Sequence, residues 1–201
     1  MKKIFFVMGL ILIAVATTGV YQVTQKADIY YYQGHALFIK SQYKASIPFY
    51  RQSLSYSPNC IKTLSELASA CLWSGNSPEA IKVFQKLLSL EPKNLRSKKS
   101  LAFAYSWVKE YAKAEALLGE VLRADAKDRE AQKRLAEIYL WDNQFDKAQA
   151  ILKALLQSNP EDARASFLYG KTLLYSGKTK EARQVFQELL KHSKKASQEG
   201  A

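Results

Sequence analysis

The chain has 201 residues, of which 30 are Lys or Arg and 18 are Asp or Glu, so its formal net charge is +12. With 48% hydrophobic residues, 8 Gly, 5 Pro and 2 Cys, its composition excludes collagen-like chains, disordered tails and disulfide-stapled mini-domains. The length suits one domain or one continuous array of repeats. The positive charge favours acidic partners, namely anionic lipid, acidic polymer, nucleic acid or acidic protein surfaces, without choosing among them.

The first 21 residues are typical of an export signal or a membrane anchor. Lys2 and Lys3 precede a mainly apolar run that ends at Tyr21, and no charged residue follows until Lys26. This run, residues 4–21, has 18 residues, close to the lower limit for crossing a bilayer, so cleavage and retention both stay open. Under the positive-inside rule, the residues beyond the run are expected in the periplasm, either anchored to the inner membrane or soluble after cleavage.

The two cysteines, Cys60 and Cys71, do not form a predicted site. They are 11 residues apart on the lead-in and body of one predicted helix, and a separation of about 16 Å is too long for a disulfide. Cys71 falls on an apolar helix face and is predicted to be a small core residue. Neither cysteine has the CxxC spacing of a metal or redox site.

An internal repeat of 34 residues organises the rest of the chain. Trp73, Trp107 and Trp141 are the only tryptophans, each 34 residues from the next, and one further step reaches Tyr175. Small residues recur in the same phase at unit positions 8 and 20, and a large apolar or aromatic residue recurs at position 24. This phase defines five units, at residues 27–60, 61–94, 95–128, 129–162 and 163–196, with residues 22–26 as a linker and 197–201 as a polar tail.

Each unit predicts two helices. Apolar residues recur at helical spacing at unit positions 4, 7, 8 and 11, and again at positions 20, 24, 27 and 28. Turn-forming residues separate the two sets, for example at residues 74–76, 142–144 and 176–178. Positions 8 and 20 are expected to be small because the two helices cross there.

This pattern resembles the tetratricopeptide repeat, which has a period of 34, small residues at positions 8 and 20, a large residue at 24 and Pro at 32. The resemblance covers 170 of the 201 residues. It implies an all-α solenoid of five helix-turn-helix repeats, a right-handed superhelix with a concave groove. The segments from Trp73 to Ala80 and from Trp141 to Ala148 also resemble periplasmic repeat segments of exopolysaccharide export proteins.

Unit positions 2, 5, 9 and 13 lie on the side of the first helix that faces away from the core of the repeat. In the family that the chain resembles, this side lines the groove, so the resemblance implies a basic and aromatic partner-binding groove. Asp28, Glu130 and Glu137 fall on the same side and dilute its charge. The candidate groove residues are Tyr31, Lys62, Trp73, Arg96, Lys99, Phe103, Trp107, Lys133, Trp141, Arg164, Phe167, Lys171 and Tyr175.

The large rings at position 13 have two interpretations. They either pack against the first helix of the neighbouring unit, or they present stacking platforms to an extended peptide or glycan. The carboxylate clamp of the chaperone-binding members of the family is absent, because Phe103 and Glu137 stand where that clamp has Asn. A carboxylate site built from Lys99, Lys133 and Arg134 stays open on charge grounds.

No catalytic, metal or cofactor site is predicted. The two histidines, His35 and His192, have no Cys, Ser or carboxylate at a spacing that suggests a nucleophile or a metal site. We therefore expect no enzyme, no cofactor and, for an exported chain, no nucleic-acid partner. The expected function is a scaffold or adaptor for protein–protein interactions in an assembly, secretion or export machine of the bacterial cell envelope. A periplasmic polysaccharide-binding module is the alternative, and membrane contact through residues 4–21 is expected if they are not cleaved.

Overall fold

The computed structural model describes residues 22–199, which are α-helical apart from short turns. The predicted signal or anchor at residues 1–21 lies outside the described residues. Among residues 22–199, no helix combines the length and the apolar character needed to cross a membrane.

Consecutive helices form pairs, and each pair is one repeat. The first helix, α1, includes residues 22–38. The other helices are α2 (Tyr43–Tyr56), α3 (Ile61–Trp73), α4 (Ser77–Leu90), α5 (Leu95–Trp107), α6 (Tyr111–Ala124), α7 (Arg129–Trp141), α8 (Phe145–Ser158), α9 (Ala163–Tyr175) and α10 (Thr179–Glu199).

Two stretches that were assigned outside the repeats are helical. Residues 22–26, assigned to a linker, belong to α1, and α10 runs to Glu199, into the stretch assigned to the polar tail. Residues 22–26 and 197–199 contain no Gly or Pro, so neither stretch has a sequence signal that would end a helix within it.

Side-chain caps fix where several first helices begin. Asn94, Asp128 and Asp162 stand at the last position of their units, directly before α5, α7 and α9. Their side-chain oxygens accept hydrogen bonds from the backbone N–H three residues further on, at 2.9 to 3.0 Å. These bonds satisfy donors that a helix N-terminus otherwise leaves without partners.

The described chain falls into two compact units that divide within α5, between Ala104 and Tyr105. In the first unit, α3 packs against both α2 and α4. The rings of Tyr50 and Phe84 are buried in this unit, as is Cys71. The complete burial of Cys71 confirms its predicted core role, and it also raises the pKa of the thiol to about 12.

In the second unit, α6 packs against α7, α7 against α8, α8 against α9, and α9 against α10. This unit contains a cluster of buried apolar residues, which consists of Ala136, Leu152, Leu155, Ala165 and Leu168. It contains the small residue at position 8 and the large residue at position 24 of the fourth repeat, so these repeat positions form the core as predicted.

The crossing of the two helices of a repeat explains the small residues at position 8. A Cβ atom added to Gly34 would lie 2.8 Å from Cε1 of Tyr50. In the fifth repeat, a Cβ atom added to Gly170 would lie 2.6 Å from Cε1 of Phe186. Where position 24 holds Leu152 instead of an aromatic ring, position 8 is Ala136. In the first and fifth repeats, glycine at position 8 therefore makes room for the aromatic ring of the crossing helix. The second repeat holds Ala68 and Phe84 at the same two positions, and both are buried.

The turn inside every repeat has the same backbone conformation. The residue at unit position 15 has a positive φ in each case: Ser41 (58°), Gly75 (86°), Lys109 (63°), Asn143 (58°) and Gly177 (83°). The N–H of the next residue donates to the carbonyl oxygen five residues earlier, at 2.8 to 3.0 Å. This arrangement is a left-handed C-cap, and glycine is the residue that suits it best.

Replacing the lysine in this conformation should stabilise the protein. We expect Lys109→Gly to raise the free energy of unfolding by about 0.5–1 kcal/mol, because a left-handed backbone is costly for a residue with a Cβ atom. Gly75→Lys should lower it by about 1 kcal/mol, and it is a clean control because a Cβ atom at Gly75 has no neighbour within 4 Å. Urea denaturation measures both changes, and a destabilising Lys109→Gly would contradict the explanation.

Candidate partner-binding face

In the first unit, the predicted face is formed by the first helices of the first three repeats, and here Lys62 is the best-defined basic residue. Its Nζ atom lies 2.9 Å from Oδ1 of Asp28 and 4.4 Å from the ring centre of Tyr31. The hydrogen bond to Asp28 raises the pKa of Lys62. Asp28 and Lys62 hold the same position in adjacent repeats, so their contact joins the two first helices along this face.

The environment of Trp73 fits both interpretations of the large rings at unit position 13. Its ring centre lies 5.8 Å from that of Phe103, which belongs to the first helix of the following repeat. At the same time, 52% of the surface of Trp73 is exposed. The ring therefore packs against the next repeat and still presents a large apolar surface to solvent. Arg96, also on α5, is exposed, and Lys99 is half-buried.

Tyr31 differs from the other candidates because it is only 9% exposed and belongs to a partly buried cluster around Glu66. Glu66 Oε1 accepts a hydrogen bond from the Tyr31 hydroxyl at 2.8 Å, and Oε2 accepts one from the Tyr50 hydroxyl at 2.5 Å. The Nδ1 atom of His35 lies 2.9 Å from Oε2. We call Tyr31, His35, Tyr50 and Glu66 the Glu66 cluster; it joins α1, α2 and α3.

The electrostatics of the Glu66 cluster suit a fixed acceptor. Burial acts to raise the pKa of Glu66, but the hydrogen bonds from Tyr50, His35 and Tyr31 outweigh it and hold the pKa below its usual range. Burial and the bond to Glu66 raise the pKa of both tyrosines. Glu66 is thus an ionised acceptor surrounded by donors, which stabilises the packing of three helices and is poorly suited to act as a general base.

Sequence reasoning missed Glu66. It stands at unit position 6, which lies about 20° from position 13 on the helical projection but is not one of the four positions from which the candidate face was predicted. The available signal was Tyr31 and His35, two polar aromatic residues four positions apart on one side of α1, which indicate a shared hydrogen-bond partner. Their partner comes from the next repeat and could not be named from spacing within one helix.

In the second unit, Lys133 of α7 pairs with Asp162, which is the last residue of the same repeat and directly precedes α9. Its Nζ atom lies 3.0 Å from Oδ2 of Asp162, and both side chains are less than one fifth exposed. Asp162 also accepts the N–H of Ala165, which caps α9. Burial acts to raise the pKa of Asp162, but the bonds from Ala165 and Lys133 outweigh it and lower the pKa.

Arg164 lies between two carboxylates of the preceding repeat. Its Nη1 atom is 3.2 Å from Glu130 and its Nη2 atom is 3.4 Å from Glu137. Glu130 also contacts Nε of Arg134 at 3.0 Å. Together with Lys62 and Lys133, Arg164 shows that several of the predicted basic residues are paired with acids, so the face carries less charge than its basic residues alone indicated.

The second unit also presents large exposed rings on this face. Trp107 is 61% exposed and Tyr175 is 62% exposed, while Trp141 is half-buried. Phe167 is exposed as well, and Nζ of Lys171 lies 5.8 Å from its ring centre. The second unit therefore combines exposed aromatic surface with ion pairs at neighbouring positions of the same first helices.

Comparison with protein-family models identifies the repeat. Tetratricopeptide repeat models match residues 27–60, 77–138, 108–166 and 139–198. The chain belongs to the tetratricopeptide repeat family. No curated protein sequence gives a significant match. Proteins built from tetratricopeptide repeats are generally non-catalytic scaffolds for protein–protein interactions, and membership of the family fits that class of function.

Solved structures of tetratricopeptide repeat proteins share this fold. MamA from Desulfovibrio magneticus, residues 41 to the end, is 19% identical with a TM-score of 0.73, over 85% of this chain and 96% of that chain. A tetratricopeptide repeat protein from Parabacteroides merdae is 18% identical with a TM-score of 0.78, over 82% of this chain and 64% of that chain. YrrB, a tetratricopeptide repeat protein with an unusual peptide-binding site, is 16% identical with a TM-score of 0.64, over 87% of this chain and 90% of that chain.

The ion pair between Lys133 and Asp162, in which Asp162 also caps α9, gives a testable stability effect. We expect Asp162→Ala to lower the free energy of unfolding by about 2 kcal/mol, because the α9 cap is lost and Lys133 loses its partner. Asp162→Asn keeps an oxygen for the cap but removes the charge, and it should lower the free energy of unfolding by about half as much. Urea denaturation separates the two variants, and equal losses would show that the cap contributes nothing.

Proposed function

We propose that the protein is a non-catalytic scaffold of the bacterial cell envelope that binds an extended segment of a protein partner. The observation that carries the proposal is the exposure of large rings, above all Trp107 and Tyr175, on the side of the first helices that the repeat pattern selects. Exposed aromatic rings at recurring positions are typical of interaction surfaces, where they contribute most of the binding energy.

The ion pairs on the same side favour a peptide over a polyanion as the partner. Lys62, Lys133 and Arg164 each contact a carboxylate of this chain, so a polyanion would have to compete with those carboxylates. A peptide with apolar side chains and mixed charge can instead contact the rings and exchange single ion pairs at the rim. YrrB, a protein of the same fold, has a peptide-binding site and is thus a precedent for peptide binding by this fold.

The proposed location in the envelope rests on the sequence. Lys2 and Lys3 followed by the apolar run at residues 4–21 are typical of exported or anchored proteins. We expect the repeats in the periplasm, and membrane fractionation with N-terminal sequencing will tell an anchored from a cleaved form. Recovery of the intact chain from the cytosol would contradict the proposal.

Site-specific photo-crosslinking tests the proposed face. A photoreactive phenylalanine analogue placed at Trp107 or Tyr175 in living cells should give a discrete crosslinked protein band. The matched control is the same analogue at Lys153, an exposed residue on α8, a helix that carries none of the candidate face residues. Equal crosslinking from all three positions, or none from Trp107 and Tyr175, would contradict the proposed face.

A polysaccharide-binding module is the second candidate, and the exposed rings of Trp73 and Trp107 favour it, because a sugar platform needs accessible indoles. Tryptophan fluorescence under titration with neutral, amino and anionic glycans tests it. A glycan-dependent shift that Trp107→Phe reduces, with no crosslinked protein in cells, would put this candidate ahead of the peptide-binding scaffold.

A further inference from the structure

A pocket of about 570 Å³ opens between α6, α7 and α8 in the second unit. Apolar side chains form most of its lining: Leu122, Leu135, Ile151 and Leu155. Leu155 belongs to the buried cluster of this unit, and Ile151 packs against that cluster, so the pocket reaches the core. None of the candidate face residues lines it, so this is a separate surface. Its volume lies in the range of about 300–1,000 Å³ that is usual for ligand pockets.

Two basic residues stand at the rim of the pocket, and none of its lining residues is acidic. Nη2 of Arg129 donates to Oγ of Ser158 at 2.6 Å, which holds the guanidinium beside the apolar lining. Lys127 is exposed in the loop before α7. The acids of the same loop are turned to the backbone, because Asp125 accepts the N–H of Lys127 and Asp128 accepts an N–H of α7, both at 2.9 Å.

We propose that this pocket binds an acidic segment of a protein partner, with one large apolar side chain inserted and a flanking carboxylate placed against Lys127 and Arg129. The apolar lining complements the side chain, and the basic rim complements the carboxylate. Ala154, on the wall of the pocket, is exposed, so the pocket is open along α8 and admits an extended chain from the side. The proposal is independent of the aromatic face.

Fluorescence anisotropy with the full chain tests the proposal. The probe is a fluorescein-labelled peptide, Gly-Glu-Glu-Leu-Phe-Glu-Glu-Gly. Ala154→Trp fills the pocket from its exposed wall, and it should weaken binding at least about tenfold, as loss of a buried anchor does. Lys127→Glu should weaken binding about threefold or more, whereas the control Lys153→Glu, an equal charge change outside the lining, should stay within about twofold. Circular dichroism melts confirm that each variant is folded.

Matched probes decide between occupants. Replacing Leu-Phe by Ser-Ser, or every Glu by Gln, should each abolish measurable binding of the peptide. Binding that survives either replacement, or that is unchanged in Ala154→Trp, would overturn the proposal. If sodium dodecanoate binds and no peptide competes with it, the pocket is a fatty-acid site instead. If the chain forms a dimer that Ala154→Trp dissociates, the occupant is a second copy of the chain. Either result would also overturn it.

Discussion

Glu66→Ala is expected to lower the free energy of unfolding by about 3 kcal/mol, the largest effect we predict for a single side chain. The substitution removes the common acceptor of Tyr31, His35 and Tyr50. Tyr50 is fully buried, so its hydroxyl cannot turn to water for a new partner. A buried donor left without an acceptor is costly, and two tyrosine hydroxyls are affected at once.

Two milder variants serve as controls for Glu66→Ala. Glu66→Gln keeps the size and one acceptor oxygen, and we expect it to lose about half as much stability. Tyr50→Phe removes one donor while Tyr31 and His35 still contact the carboxylate, so its loss should be about 1 kcal/mol. Urea denaturation of all three variants gives the comparison. A loss below about 1 kcal/mol for Glu66→Ala would mean that the cluster contributes little.

The depressed pKa of Glu66 also predicts how stability changes with pH. A carboxyl group whose pKa is lower in the folded state binds fewer protons there than in the unfolded state. Its stabilisation is therefore fully present above the unfolded pKa of about 4.3 and is lost as pH falls through the folded value. Glu66→Gln should flatten the stability profile in this acid range, because the titrating carboxyl group is removed. A stability profile that Glu66→Gln leaves unaltered in the acid range would contradict the lowered pKa of Glu66.

Gly34→Ala is expected to lower the free energy of unfolding by about 2 kcal/mol, although alanine is the better helix former. The added Cβ atom would lie 2.8 Å from Cε1 of the Tyr50 ring. That ring is buried and its hydroxyl is bonded to Glu66, so the ring cannot move aside without loss of the hydrogen bond. The overlap must be relieved by separating α1 from α2.

Gly119→Ala is the matched control for Gly34→Ala. Gly119 also lies inside a helix, α6, but a Cβ atom there would be 3.7 Å from the nearest atom, Nη1 of Arg123. Gly119→Ala should raise the free energy of unfolding by up to about 1 kcal/mol, because alanine is the better helix former. Thermal melts of the two variants should therefore shift in opposite directions. A stable Gly34→Ala would show that the Tyr50 ring can relocate.

The sequence was sufficient for the repeat architecture because the same residue types recur at fixed unit positions. The small residues at positions 8 and 20 are buried, as expected where helices cross, and Trp73, Trp107 and Tyr175 are exposed. The period carried these predictions, since a pattern seen several times is stronger than any single propensity. The peptide, polysaccharide and envelope assignments stay predictions.

Contacts between repeats could not be predicted from the sequence. The pairs Asp28–Lys62 and Glu130–Arg164 each join equivalent positions of adjacent repeats, and their formation depends on how one repeat stacks on the next. A helical projection gives the side of a helix and not the distance to its neighbour. Lys109 was missed for another reason, because lysine carries no turn signal, although its unit position matches Gly75 and Gly177.

The Glu66 cluster also bears on how the first repeat opens. Terminal repeats of a solenoid contact a neighbour on one side only, so they are usually the first to fray. Here a carboxylate of the second repeat is bonded to side chains from both helices of the first. Separation of the first repeat from the second breaks all of these bonds together. Amide hydrogens of α1, α2 and α3 should therefore exchange through one shared opening, and the N-terminal repeat should resist limited proteolysis as firmly as the repeat that follows it.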